Sequence, residues 1–154
     1  MSDPDAQLAA LASASTGQLL LRAARLLDER ALARLAEIPG APPVRPAHTR
    51  LFPHLDFSGV RASVLAERLG VTKQAIHPLV TELVEWGLVE QVVDPADRRA
   101  RLLRFRPDGL SAIAQGLAML ESVEREVERA VGTERMAVFR EVLGAWIAAL
   151  EPPP

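Results

Sequence analysis

The chain has 154 residues, of which 49% are hydrophobic and 25% charged, and its net charge is −2. A chain of this length suffices for one domain, residues 1–154, with its own core and helices to spare for an interface. The absence of cysteine excludes disulfides, thiol catalysis and zinc sites with cysteine ligands. No signal peptide and no long uncharged apolar run are found, so we expect a cytoplasmic protein.

The first third of the chain predicts helices. Asp3 suits a helix cap and Pro4 a first helical position, so a short helix or frayed arm is expected before the interruption at 13–17. From Gln18 to Ile38, apolar residues recur at helical spacing and form a stripe that further leucines widen. A helix this apolar must be covered on more than one side.

The segment from Arg45 to Leu55 follows a proline-rich break and predicts a short helix that is kinked or ended near Pro53. It carries His48 and His54. A zinc site is disfavoured because two histidines six positions apart do not share a helix face, and no other ligand lies among them. A buried or helix-capping histidine is the alternative, and no metal site is predicted.

Residues 61–86 show the pattern of two short helices joined by a tight turn. The first helix stops at Gly70, and the second opens after Thr72, whose hydroxyl suits a helix cap. Its buried face would consist of Ile76, Leu79, Val80 and Leu83. In a helix-turn-helix the second helix presents its outer, N-terminal face to the major groove of DNA. Here that face carries Lys73, Gln74, His77 and Thr81.

Two β-prone runs come next, Leu88–Val93 and Arg101–Phe105, separated by a turn-forming basic tip at 94–99. Two helices followed by a basic hairpin predict a winged helix over residues 58–106. The charges agree with this: from Arg61 to Arg106, eight basic residues stand against six acidic ones, so this segment is +2 and the remainder −4. Local clustering matters because salt screens charges within roughly 8 Å, although a solvated charged surface is the alternative.

The same segment resembles the MarR family of bacterial transcription regulators. The matching motifs are Leu-Ala-x-x-Leu-Gly-Val at 65–71, Thr-Lys-Gln-Ala at 72–75, Gly-Leu-Val at 87–89 and Asp-x-Arg at 97–99. The resemblance implies a mainly α fold: a winged helix-turn-helix lobe with a small β-hairpin wing, plus long helices that form a dimerisation region. It also implies a homodimer that binds double-stranded DNA.

The resemblance further implies roles for single residues of the recognition helix (72–86) and the wing (94–101). Asp97 would orient Arg99, which would enter the minor groove, where a narrow A/T-rich groove concentrates negative potential. Arg98 and Arg101 would meet phosphates. The complete predicted DNA-binding set is Arg61, Thr72, Lys73, Gln74, His77, Thr81, Arg98, Arg99 and Arg101.

An effector site is also implied, because small aromatic acids bind in the resembling family where the first two helices meet the DNA-binding lobe. The corresponding residues here are Arg22, Arg25, His48, Phe52 and His54. The two arginines would meet a carboxylate, and their solvation at the surface is the alternative. No cofactor other than this effector is expected.

Two positions depart from the family pattern. Pro78 stands inside the recognition helix, where proline removes the hydrogen bond to the carbonyl of Gln74 at a cost of about 3 kcal/mol. Either good packing tolerates a kink, or the bend re-aims the outer face toward the bases. Arg106 and Pro107 replace the usual threonine cap of the next helix, although proline suits a first helical position.

Residues 107–150 predict two helices separated by Gly132, each with an apolar seam at spacings of three and four. These seams exceed what one small lobe can cover. We therefore expect a homodimer in which residues 4–38 and 107–150 form the dimerisation helices. A helical hairpin that covers the core of a monomer is the alternative.

No catalytic motif is found: the serines lack a nucleophile-elbow pattern, and no phosphate loop or dinucleotide fingerprint is present. We therefore expect that the protein is not an enzyme. We expect a repressor that binds a pseudo-palindromic operator and whose repression a small molecule relieves. The rival hypothesis is a winged-helix protein–protein interaction module that has lost specific DNA binding. Pro78 and the modest positive charge favour that rival.

Overall fold

The helix-turn-helix forms where the sequence places its capping residues. In the computed structural model, which describes Asp3, Asp5, Leu11, Ser13 and residues 15–151, the second helix begins after Thr72, whose hydroxyl accepts a hydrogen bond from the backbone N–H of Ala75 at 3.2 Å. It ends at Glu85, and its C-cap Trp86 stands just before Gly87, which has a left-handed conformation. The short N-terminal helix expected from Pro4 to Ala12 lies largely outside the described residues.

The elements from residue 15 onward give a mainly helical fold with one small sheet, as predicted. In order they are α1 (Thr16–Ala36), α2 (Pro46–Thr49), a 3-10 turn (Phe52–His54), β1 (Val60–Arg61), α3 (Ala62–Arg68), α4 (Lys73–Glu85), β2 (Val89–Asp94), β3 (Asp97–Phe105), a second 3-10 turn (Pro107–Gly109), α5 (Leu110–Val131) and α6 (Thr133–Leu150). The short helix expected from Arg45 to Leu55, kinked or ended near Pro53, is two separate helical turns, and the first already ends at Thr49.

The core of the lobe lies between α3, α4 and the sheet. The predicted inner face of α4 is buried at Ile76, Val80 and Leu83, and Leu79 packs at its margin. Leu65 of α3 and Leu83 have no exposed surface. Burial of a leucine side chain contributes roughly 1.5 to 3 kcal/mol, so this packing fixes how α4 sits on the lobe.

The wing differs from the prediction in two respects. The sheet has three antiparallel strands in the order β1-β3-β2, and the short strand β1 was not predicted. The prediction of a six-residue turn at 94–99 is wrong. Asp94 pairs with Asp97, and only Pro95 and Ala96 form the turn. Residues 98–100 instead form an outward bulge of β3, since Val93 already pairs with Arg101.

Close backbone approach at two glycines holds the sheet to its neighbours. A Cβ at Gly59, which precedes β1 with φ +96°, would lie 2.9 Å from the Cβ of Leu102. A Cβ at Gly109, just before α5, would lie 2.7 Å from the carbonyl oxygen of Gly87. Glycine therefore allows β1 to pair with β3 and α5 to leave the lobe at its observed position.

The long helices leave a large apolar surface uncovered within one chain. α1 packs on α5, where Ala31 and Val123 are buried and the guanidinium of Arg34 donates to Ser122 at 2.5 Å and to Glu126. Most of the predicted seams face outward. The exposed apolar residues on α1, α5 and α6 are Leu19, Leu21, Leu26, Leu110, Leu117, Val127, Val131, Val138, Phe139, Val142, Ile147 and Leu150. In the part of the chain that the structure describes, no helix is long and apolar enough to cross a lipid bilayer.

Candidate nucleic-acid interface

The outer face of α4 is free for contact. Lys73, Gln74, His77 and Thr81 are all exposed on the side opposite the buried residues. The hydroxyl of Thr81 donates to the carbonyl oxygen of His77 at 3.0 Å, so it offers only acceptor capacity to a ligand. Thr72 lies at the end of the same face and is engaged as the helix cap.

The wing presents Arg98 and Arg99 on the bulge of β3 and Arg101 just after it, next to a turn that two carboxylates flank. A carboxylate oxygen of Asp97 accepts from the backbone N–H of Arg99 at 3.0 Å, which fixes the main chain from which the Arg99 side chain projects. Arg98, Arg99 and Arg101 are all exposed. On the other side of the turn, Asp94 accepts from the N–H of Ala96 at 2.8 Å.

A cleft of about 620 Å³ separates α4 from the wing. Six residues of the predicted DNA-binding set line it together: Arg61, Lys73, Gln74, His77, Arg99 and Arg101. Thr72, Thr81 and Arg98 do not line it. Residues from α4 and from the wing thus lie on one concave surface. A ligand that contacts both α4 and the wing requires such an arrangement.

Ion pairing leaves the positive charge of the lobe concentrated around this cleft. Three cations elsewhere in the lobe are paired: Arg104 with Glu90 at 2.8 Å, Arg106 with Asp108 at 3.1 Å, and Arg45 with Glu82 at 2.7 Å. Among the residues that the structure describes, Lys73, Arg98, Arg99 and Arg101 form no ion pair within 4 Å. The small net excess of +2 therefore understates the local positive potential, because four of the five unpaired cations of residues 61–106 lie on α4 and the wing, the fifth being Arg68 on α3.

His48 joins α2 to the recognition helix. It is fully buried, its Nδ1 accepts from the backbone N–H of Arg45 at 3.0 Å, and its Nε2 lies 3.0 Å from a carboxylate oxygen of Glu82 on α4. Its ring meets that of Trp86 edge-on, with centroids 4.8 Å apart. This is the buried, helix-capping geometry that the sequence offered as an alternative to a metal ligand. Within the described ranges, no cluster of three or more potential ligand side chains is arranged to hold a metal ion.

The pKa of His48 is lowered from its ordinary value of 6.5, mainly because burial disfavours the charged ring; Glu82 opposes this shift and Arg45 adds to it. The unfolded chain therefore binds a proton below about pH 6.5 that the native state does not. We expect the free energy of unfolding to decrease as the pH falls from 7 to 5.5, by at most about 1.4 kcal/mol per pH unit. Urea unfolding of wild type and His48→Asn across this range measures it: the variant keeps a capping oxygen but cannot titrate, so equal slopes would contradict the assignment.

The five predicted effector residues do not surround one cavity. His48 is closed inside the lobe, Phe52 packs toward Phe105 with centroids 6.3 Å apart, and Arg25 pairs with Glu29 on the exposed side of α1. None of the five lines the cleft beside α4 or a second, apolar cavity of about 180 Å³ at the C-terminal end of α1. The effector site stays a prediction.

Two short helices, a three-stranded sheet with a basic wing and long flanking helices define a winged helix-turn-helix protein. Residues 44–100 match the MarR family. A transcription regulator of the helix-turn-helix type from Rhodobacter capsulatus, PetP, is 35% identical over 88 residues, which is 56% of this chain and 52% of that protein. The chain thus spans about half the length of this curated relative.

Solved structures share the fold over most of the chain. CouR from Rhodococcus jostii, bound to p-coumaroyl-CoA, superimposes with a TM-score of 0.65 at 23% identity over 93% of this chain and 98% of that one. CouR bound to a 23-mer DNA duplex gives 0.63 at 20% identity, covering 88% and 94%. The apo form of MarR from Escherichia coli gives 0.66 at 19% identity, covering 85% and 96%. The segment 44–100 is thus similar to the MarR family, and most of the chain shares the fold of these regulators.

Proposed function

We propose that this chain is a homodimeric regulator that binds double-stranded DNA sequence-specifically, with α4 in the major groove and the wing in the minor groove. The observation that carries the proposal is the convergence of unpaired cations from α4 and the wing on one cleft. In a dimer, two copies of α4 about 34 to 36 Å apart would read the two halves of a pseudo-palindrome. CouR, which has the same fold, is a transcriptional repressor bound to a DNA duplex in one structure.

Binding to fragments of its own upstream DNA across a salt series tests the proposal. Each phosphate neutralised contributes about −0.9 to the slope of log affinity against log salt. Specific binding in the range of roughly 10⁻⁸ to 10⁻¹¹ M to one fragment, with a steep slope, is the expected result. Affinity no greater than for random DNA would instead favour the rival, a winged-helix module that contacts protein.

Arg99→Ala is expected to weaken operator binding by about 1 to 3 kcal/mol, because Asp97 holds this arginine where it projects from the wing. Arg106→Ala is the matched control: it removes the same charge from the same lobe, but Arg106 pairs with Asp108 and does not line the cleft. Fluorescence anisotropy with a labelled operator fragment measures both. Equal losses in the two variants would show that overall charge, and not the wing, determines affinity.

We further propose that the protein is a cytoplasmic repressor whose DNA affinity a small-molecule effector lowers. CouR is bound to p-coumaroyl-CoA and PcaV from Streptomyces coelicolor to its natural ligand, and both share this fold. An aromatic acid or its thioester is therefore the class of compound to screen. An effector that changes the separation of the two lobes would alter the spacing of the recognition helices, and release from the operator fragment is the readout.

A further inference from the structure

One ion pair links the wing to the start of the helix-turn-helix. The Nε and Nη2 atoms of Arg61 lie 2.7 and 2.5 Å from the same carboxylate oxygen of Asp94, Oδ2. The other oxygen, Oδ1, accepts from the backbone N–H of Ala96 at 2.8 Å. The Asp94 side chain is 8% exposed and that of Arg61 41%, so both oxygens of a nearly buried carboxylate are engaged.

The bond spans the sheet. Arg61 is the last residue of β1 and pairs with Leu102 of β3, whereas Asp94 is the last residue of β2, which pairs with the opposite edge of β3. Neighbouring strands are about 4.8 Å apart, so the long arginine side chain crosses the middle strand to reach the far one. Arg61 also directly precedes α3, so its backbone is fixed by both a strand and a helix.

We infer that Arg61 and Asp94 together act as a clamp that positions the wing for DNA, and that Arg61 is a positioning residue, not a phosphate contact. The inference rests on the proposed function. The tip needs such a clamp because the ladder between β2 and β3 is interrupted at the bulge of residues 98–100, and an isolated two-stranded tip is marginally stable. A tip that is already ordered before binding loses less conformational entropy when its arginines meet DNA.

The surrounding groups agree with this role. The pKa of Asp94 is lowered, first by the N–H of Ala96 and then by Arg61, so the carboxylate is ionised at neutral pH. Because Arg61 is neutralised by this partner, it adds little net charge for phosphate. Asp97 holds the other side of the turn through the N–H of Arg99, and the two carboxylates thereby fix both strands at the tip.

Asp94→Ala separates the clamp from simple electrostatics. Removing an acidic group beside a DNA-binding cleft should tighten binding if charge alone mattered. The clamp predicts the opposite, a loss of operator affinity of roughly 3- to 100-fold, the range found for residues in one network. Arg61→Ala should cause a similar loss, and the double variant should be no weaker than either single one. Tighter binding by Asp94→Ala, or additive losses, would overturn the inference.

Arg61→Lys distinguishes a clamp from a phosphate contact. Lysine supplies a point charge that serves a phosphate but cannot donate from two nitrogens in a planar fork. The clamp predicts weaker operator binding by Arg61→Lys. A phosphate contact predicts near-normal binding by the lysine variant, and that result would overturn the inference.

Amide hydrogen exchange of the free protein tests the clamp without DNA. Exchange in a peptide covering residues 94–101 should be faster in Asp94→Ala and in the conservative Asp94→Asn than in wild type, while a peptide covering 73–85 keeps its protection. Unchanged exchange at the tip would refute the clamp. If wild type itself fails to bind DNA, the proposed function fails, but the exchange result still decides whether Arg61 and Asp94 order the wing.

Discussion

Pro78→Ala is expected to make the protein more stable by about 2 kcal/mol. Pro78 lies six residues into α4, is exposed, and the helix continues through it to Glu85. Replacing a mid-helix proline by alanine restores the hydrogen bond to the carbonyl of Gln74 and relieves crowding, a gain of about 3 kcal/mol. The greater freedom of the unfolded alanine chain offsets about 0.4 to 1 kcal/mol of this. For a chain of this size the melting temperature should rise by roughly 4 to 8 °C.

Pro107→Ala is the matched control for this experiment. Pro107 occupies the first position of a 3-10 turn, where no N–H is needed and the fixed φ of proline is favourable. The same substitution there should lower stability slightly, by less than about 1 kcal/mol. If Pro78→Ala were no more stable than wild type, the inner face of α4 would already compensate fully for the proline.

The DNA affinity of Pro78→Ala decides between the two interpretations of this residue. Pro78 lines the cleft together with Gln74 and His77. If good packing merely tolerates the proline, affinity for the operator should remain within a factor of about two. If the proline re-aims the outer face, the more stable variant should bind more weakly, because each base contact contributes about 1 to 3 kcal/mol.

The position and the buried face of the recognition helix could be predicted from the sequence, because the residues that determine them lie close together in the chain. Thr72 caps the helix, Gly87 follows its end, and the apolar period places Ile76, Val80 and Leu83 inward. The structure bounds α4 within one residue of the range predicted from these signals. Capping and helical period depend on residues three or four positions apart, so one sequence contains them in full.

The wing was predicted less well because its determinants are distant in sequence. β1 has only two residues, too few to show an alternating pattern. The partner of Asp94 is Arg61, 33 positions away, and nothing near Asp94 indicates that pairing. The turn dipeptide at Asp94 and Pro95 correctly predicted a turn but not its length, which depends on the register of β2 against β3. Gly59, which precedes β1, is the one local signal in the sequence, because glycine permits the close approach of β1 to β3.

The cluster around His48 shows the same limit. Its environment combines Arg45 from the segment before α2, Glu82 from the middle of α4 and Trp86 from its end. Thr49, next in the chain, donates to Asp28 of α1 at 3.1 Å. The four-residue helix α2 therefore contacts the recognition helix through His48 and α1 through the next residue, Thr49. These contacts connect α1 to α4, which makes α2 the first place to look for effects of the proposed effector.

Phe139→Glu is expected to dissociate the proposed homodimer. The apolar residues left uncovered on α5 and α6 include Leu117 at 62%, Phe139 at 45% and Ile147 at 51% exposure, and α6 makes few contacts with the rest of its own chain. Many large apolar side chains left exposed on two neighbouring helices are typical of an interface. A carboxylate placed at Phe139 in the proposed interface should weaken association by on the order of 100-fold, as loss of an aromatic hot-spot contact does.

Phe57→Glu is the matched control, because Phe57 is similarly exposed, at 49%, but packs toward Phe105 and lies on neither α5 nor α6. Sedimentation at micromolar concentration should give wild type and Phe57→Glu a mass of two chains, each of 16.7 kDa, whereas Phe139→Glu should sediment as a monomer or lose helical structure. The second result is informative as well, since subunits of obligate dimers often have no stable folded monomer. A monomeric wild type would mean that α5 and α6 cover their apolar faces in another way. The spacing of two recognition helices on a pseudo-palindrome would then lose its physical basis.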